Sequence, residues 1–165
     1  MYKMNCLNLN KILNREENAL KIKECLNLSS QNKNNLNIKK GIYIYGSPGS
    51  GKTEFITNIL KEMDYDIIKY DAGDFRNKSI IETIAKHNMS NRNIMSMFDK
   101  KIKRIVIVMD EIDGMNNGDK GGITSLIKLI RQKKTKKQRL ENKTLNPIIC
   151  IGNYKVDKKI KELMK

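Results

Sequence analysis

Tryptophan is missing from this chain of 165 residues, histidine occurs once, and there are only two prolines and three cysteines. Cys6, Cys25 and Cys150 show no short metal-ligand spacing, and with His87 as the single histidine no zinc site is supported. Three scattered thiols also make no disulfide framework, so the chain reads as intracellular and soluble, with cytoplasm and nucleus undistinguished. His87 reads as an exposed residue at a helix end. No apolar stretch approaches 18 residues, and the first residues are polar and Asn-rich, so neither a membrane span nor a secretory leader is expected. Acidic residues are the last scarcity: 18 Asp and Glu stand against 33 Lys and Arg, a formal charge of +15. A surface so biased attracts polyanions at long range, nucleic acid foremost. Lys and Asn are abundant together, a pairing that A- and T-rich coding also favours, so the motifs carry more weight than the charge.

What is present begins with residues 46–53, which read Gly-Ser-Pro-Gly-Ser-Gly-Lys-Thr between an apolar run, residues 42–45, and a helix-like segment from Glu54. This is the full phosphate-binding loop pattern in its strand, loop, helix setting. Gly46, Ser47, Pro48, Gly49, Ser50 and Gly51 let the backbone turn tightly, so that successive N–H groups converge on phosphate oxygens at a helix N-terminus. Lys52 then reaches the β- and γ-phosphates, and the Thr53 hydroxyl is suited to Mg2+. The expected ligand is a nucleoside triphosphate, ATP with Mg2+.

Residues 105–113 read Ile-Val-Ile-Val-Met-Asp-Glu-Ile-Asp, a continuous apolar run ending in acids. A strand buried on both faces of a parallel sheet has this pattern, and ligands in such sheets bind beyond the carboxyl ends of the strands. Asp110 is expected to serve Mg2+, acting through a water because a hard ion bridging phosphates keeps much of its hydration shell. Glu111 is expected to orient and deprotonate an attacking water. A further apolar run, residues 148–151, leads to Gly152 and Asn153, where an amide could contact the γ-phosphate; a plain Gly-Asn turn is the competing reading.

The length suits one α/β domain with a substantial core and is too short for two. Asn14 followed by Glu17 predicts a helix N-cap with its reciprocal acid, and Ala19, Ile22 and Leu26 then recur at helical spacing. This helix is expected beside the nucleotide, and a polar connector over residues 29–40 leads into the first strand. A helix is expected from the loop to about Met63, a second strand over residues 67–70, and short helices near 78–87 and 92–100. Ile123, Leu126, Ile127 and Ile130 predict one stripe of an amphipathic helix after Gly121 and Gly122. From 131 to 143 there are seven basic residues against Glu141 alone, which suits either phosphate-backbone contact, a nuclear address or a solvated helix end.

Taken together, several stretches resemble the AAA+ clamp-loader ATPases, in particular the large subunit of replication factor C. They are the phosphate loop, Asp71-Ala72-Gly73-Asp74-Phe75-Arg76, Asp110-Glu111-Ile112-Asp113-Gly114-Met115, the Gly121-Gly122-Ile123 that follows, and residues 147–153. The likeness covers roughly residues 40–160. It implies an α/β P-loop sandwich whose parallel sheet has the spatial order 5-1-4-3-2. It also implies ATP hydrolysis, primer-template or other double-stranded DNA, a sliding clamp, and fellow AAA+ subunits as partners in DNA replication. By resemblance, helix starts would face DNA at Arg76, Lys78 and Ser79 and again at Ile123 and Thr124, contacts that hold phosphate without reading bases.

The chain departs from the family in three places. No proline-containing run marks the adenine pocket in residues 1–13, and the family's Asn-Ala-Ser-Asp is loosened to Asp71-Ala72-Gly73-Asp74. Only four strands are found before Lys165, so the fifth strand and the helical lid are expected beyond it, leaving a single nucleotide-binding core over 1–165, with 1–40 as N-terminal helix and connector. A core without strand five and lid is expected to bind ATP weakly and hydrolyse it slowly. The alternatives are another AAA+ machine (a helicase loader or initiator), a nucleotide-binding subunit without turnover, and, less suited to the charge and to Asn153, a small P-loop kinase.

Overall fold

Four short apolar runs form the strands β1 (Gly41–Tyr45), β2 (Tyr65–Tyr70), β3 (Arg104–Met109) and β4 (Ile148–Gly152). The computed structural model describes residues 10–31, 41–71, 103–117, 122–131, 135–139 and 146–153. The strands lie side by side in the order β1-β4-β3-β2, and all three pairings are parallel. The expected order 5-1-4-3-2 contains this arrangement as its last four positions. Parallel neighbours cannot be joined by a tight turn. Between β1 and β2 the crossover is helix α2 (Lys52–Glu62), and helix α3 (Gly122–Ile130) lies between β3 and β4 in the chain.

Alternation sorts the strand residues onto two cores. Val106 and Val108 of β3 and Ile149 and Ile151 of β4 face one layer, where Ala19, Ile22 and Leu26 of helix α1 (Glu16–Gln31) meet Ile56, Ile59 and Leu60 of α2. Ile107, Met109, Ile148 and Cys150 face the other, covered by Ile112, Leu126, Ile127 and Leu129. This two-sided burial is why β3 and β4 read as unbroken apolar runs instead of alternating ones. All five residues of β4 are buried. Each fully buried Ile or Leu here contributes about 1.5–3 kcal/mol relative to exposure.

The helix boundaries show how local chemistry yields to the surroundings. Asn14 does not cap α1: it sits at φ 51°, and its N–H and that of Arg15 close a tight turn on the carbonyls of Lys11 and Asn10. A side-chain cap requires an extended φ, which this left-handed turn excludes. Arg15 takes the cap position instead, its carbonyl accepting the first helical bond from the Ala19 N–H at 2.9 Å. In α2 the helix starts at Lys52, two residues ahead of Glu54, with Gly51 before it at φ 75° and no side-chain cap. Leaving that first turn uncapped keeps its N–H groups available to an anion. β2 begins at Tyr65, earlier than the expected residue 67.

In α3, Leu126 and Ile127 are buried as the stripe predicts, Leu129 joins them, and Ile130 is half-buried. A Cβ at Gly41 would lie 2.2 Å from Ile130 Cγ2, so the missing side chain is what lets the end of α3 close on β1. The expected helices at 78–87 and 92–100, His87, most of the 29–40 connector and much of the basic segment fall outside the described residues. Within that segment a four-residue helix, α4 (Lys136–Arg139), exposes Lys136 and Lys137. Among the described residues no helix is long and apolar enough to cross a membrane.

Candidate nucleotide-binding site

The carboxyl ends of β1, β3 and β4 converge, and each delivers one part of the site, as the geometry of an open parallel sheet requires. After β1 the chain turns through the loop with Gly49 at φ 73° and Gly51 at φ 75°, conformations that side chains with a Cβ rarely adopt. Ser47, Pro48, Gly49 and Gly51 are exposed, and Gly46 and Ser50 are partly so. Lys52 folds back over this loop, donating to the carbonyls of Gly46 and Ser47 at 2.9 Å each and to Asn153 Oδ1 at 3.0 Å. Residues 101 positions apart thereby meet at one ammonium group.

Thr53 and Asp110 form the second junction, the threonine hydroxyl donating to Asp110 Oδ2 at 2.8 Å. Asp110 is buried, its other oxygen accepting the Glu111 N–H at 3.0 Å. Glu111 is exposed and stands at φ 54°, where a non-glycine residue carries strain of about 1–2 kcal/mol. The turn swings its side chain out of the sheet's core at the moment the strand ends. Asp113 supports the third strand end: its Oδ2 accepts the backbone N–H of Asn153. Asp113 Oδ1 is buried without a hydrogen-bond partner, and a Cβ on Gly152 would come within 2.8 Å of it and 2.4 Å of the Tyr43 hydroxyl. Only glycine at 152 lets β4 deliver Asn153 through this gap.

Two basic residues at the site escape motif reading. Lys69, near the end of β2, reaches Asp110 Oδ2 at 3.3 Å and Asp71 Oδ1 at 3.2 Å. Partial burial pulls the Lys69 pKa down, but hydrogen bonds to Asp71 and Asp110 and their negative charge outweigh it, leaving it raised. Arg15 donates to the Ser50 carbonyl at 2.6 Å while its guanidinium lies 5.6 Å from the centre of the Phe55 ring. The first helix is thus fastened to the phosphate loop. Neither residue has a fixed spacing to a motif; strand register places one and helix packing the other. Of the expected DNA-facing residues, Arg76, Lys78 and Ser79 lie outside the described residues. Thr124 is exposed in the first turn of α3, and Ile123 belongs to the same turn.

The donors fit a hard divalent ion held mainly by its nucleotide. Among the described residues no group of three or more His, Cys, Asp or Glu could hold a metal alone. A hydroxyl and one carboxylate 2.8 Å apart beside a phosphate loop are what Mg2+ needs when phosphates and waters supply its remaining ligands.

A parallel sheet, a glycine-rich loop opening a helix, and acidic and amide residues at neighbouring strand ends define a P-loop NTPase sandwich. The family model described as "ATPase family associated with various cellular activities (AAA)" matches residues 42–165, and the chain belongs to that family. It is similar to replication factor C subunit 1 of Saccharomyces cerevisiae, at 29% identity covering 88% of this chain and 18% of that protein. The replication factor C large subunit of Methanococcus aeolicus is 34% identical over 70% of this chain and 21% of its own length. For human replication factor C subunit 1 the identity is 32%, over 76% of this chain and 10% of that protein. The resemblance to large subunits is borne out, and the chain spans about a fifth or less of these relatives. Among solved structures, Caenorhabditis elegans PCH-2 superposes with a TM-score of 0.54 at 16% identity, covering 89% of this chain and 39% of that one, a likeness of fold.

Proposed function

We propose that this chain is the ATP-binding and ATP-hydrolysing core of a DNA sliding-clamp loader subunit of the replication factor C large-subunit type. The observation that carries the reading is the convergence of Lys52 with Asn153 and of Thr53 with Asp110 at the ends of three strands. In this reading the loop N–H groups and Lys52 hold the β- and γ-phosphates, and Lys52 exchanges its loop carbonyls for phosphate oxygens. Thr53 and Asp110 hold Mg2+, which when bound neutralises charge on the phosphates. Glu111, exposed and turned out of the sheet, takes a proton from the attacking water, and Asn153 orients that water against the γ-phosphate. Asp113 fixes Asn153 through its backbone, and Arg15 steadies the loop from α1.

The charge of +15 supports DNA as a partner, together with the start of α3 carrying the exposed Thr124, a position suited to phosphate contact. Fellow subunits join the proposal because the relatives are named as replication factor C subunits, and a ring-shaped clamp because the motifs resemble those of clamp loaders. The decisive measurement is the ATPase rate of the intact protein with and without primed DNA and a clamp, beside that of Glu111→Gln. Stimulation by DNA and clamp together is expected, as is a loss of turnover of roughly 100-fold or more in Glu111→Gln with ATP binding retained. Equal rates in the two proteins would refute a hydrolytic role. Turnover indifferent to DNA and clamp would leave an AAA ATPase of another kind.

A further inference from the structure

Asp110, the residue best suited to Mg2+, already faces a cation belonging to the chain itself. Strand register produces this contact. Lys69 of β2 pairs with Val108 of β3, which faces the core on the α2 side, and one step past the paired strands the Asp110 N–H donates to the Tyr70 carbonyl at 2.9 Å, which holds Asp110 close to the end of β2. The Lys69 ammonium lies 3.3 Å from Asp110 Oδ2 and 3.2 Å from Asp71 Oδ1. Asp110 Oδ2 is the same oxygen that accepts the Thr53 hydroxyl, while Oδ1 is taken by the Glu111 N–H. The Thr53 and Asp110 pair therefore has a monovalent cation on its outer side. That cation is mobile in principle, because the lysine side chain is 45% exposed and has a second carboxylate on which to rest.

Resting on the nucleotide-site reading above, we propose that Lys69 is a built-in counter-ion that competes with the divalent metal for Asp110. With no metal bound, Lys69 neutralises the buried carboxylate; when the metal arrives with its nucleotide, the ammonium withdraws to Asp71. Two cations sharing one carboxylate oxygen repel each other, so every metal that binds does so against the Lys69 charge. Lys69 thereby sets how much free Mg2+ the chain requires before it takes nucleotide tightly. Asp71 sets how readily Lys69 steps aside.

The test is a titration of the intact chain with a fluorescent ATP analogue across a range of free Mg2+, with an EDTA baseline. Binding of Mn2+ in the presence of ATP, read by electron paramagnetic resonance, provides a signal independent of turnover. Lys69→Met should lower the free metal needed for half-maximal nucleotide binding by about tenfold, the scale of one nearby charge removed from a partly screened site. Lys69→Arg should stay near wild type. Asp71→Asn should raise the metal requirement severalfold, and that rise should vanish in the Lys69→Met, Asp71→Asn double variant, since it acts through the lysine. An unchanged or higher requirement in Lys69→Met overturns the proposal. A wild-type chain that takes no analogue at any Mg2+ concentration overturns the nucleotide site itself, and this inference with it.

Discussion

At the residue scale, the ends of the central strands show how one change of environment separates chemically similar groups. Cys150 points into the second core and Cys25 lies exposed on α1. Burial pushes the Cys150 thiol from its ordinary value near 9 up to about 12. Between those values the unfolded chain releases a proton that the folded chain keeps. This group therefore contributes a loss of stability as pH rises through that window and nothing below it. The same burial keeps the thiolate, the reactive form, out of reach. Iodoacetamide at pH 8.5 is expected to modify Cys25 in the folded protein and to spare Cys150 until urea is added. Peptide mapping that finds the two modified at equal rates would contradict the assigned burial. At this scale, sequence reading singled out Lys52, Thr53 and Asp110 from spelled motifs and Asn153 from its place after an apolar run, and the structure brings Lys52 to Asn153 and Thr53 to Asp110. Sequence reading missed Lys69 and Arg15 because their partners, Asp110 and Ser50, are chosen by register and packing.

At the element scale, helices are held by their buried stripes more than by their ends. α1 forms although Asn14 stands in a left-handed turn in place of a cap, since Ala19, Ile22 and Leu26 are buried against α2 and the sheet. α2 begins at a glycine with no cap at all and is secured by Ile56, Ile59 and Leu60. Truncation at the centre of such a stripe should therefore be costly: Leu126→Ala in α3, at 0% exposure, is expected to lose about 2–5 kcal/mol in urea denaturation. Leu20→Ala on α1, at 59% exposure, should change stability by no more than about 0.5 kcal/mol. Comparable losses in the two variants would mean that α3 is not packed as described. The stripes of α1 and α3 were legible from their 3.6-residue period, apart from Leu129. The early starts of α2 and β2 were not: Lys52 begins a helix because the loop brings Gly51 before it to φ 75°, and Tyr65-Asp66 becomes strand only by pairing with Arg104 and Ile105.

At the scale of the whole molecule, a chain with 33 basic residues folds a sheet whose strand ends run on into Asp71 after β2 and into Asp110, Glu111 and Asp113 after β3. Lys69 pairs with Asp71 and Asp110, and Asp113 accepts the Asn153 N–H; in the proposed reading Asp110 also serves a metal, and the basic excess is open to a larger polyanion. DNA binding by this chain should accordingly weaken as salt rises, with a log–log slope of roughly −0.9 for each phosphate contacted. Replacing the exposed pair Lys136 and Lys137 by Glu should make that slope shallower and weaken binding to all DNA sequences alike. Fluorescence anisotropy over a salt series would measure both, and a slope untouched by the double replacement would remove this helix from the DNA surface.

The sequence by itself determined the family, the phosphate loop, the acidic strand end and the two-sided burial of the sheet, because each is written in contiguous residues whose spacing has one physical use. Tertiary structure alone decided which distant groups share an atom. Parallel pairing inserts β4 between β1 and β3 and so brings Asn153 to Lys52, an Asp113 carboxylate fixes that strand end, and the β2–β3 register sets Lys69 on Asp110. Spacing along a chain cannot encode these contacts, since they depend on strand order and register, which are settled only when both faces of the sheet are buried at once.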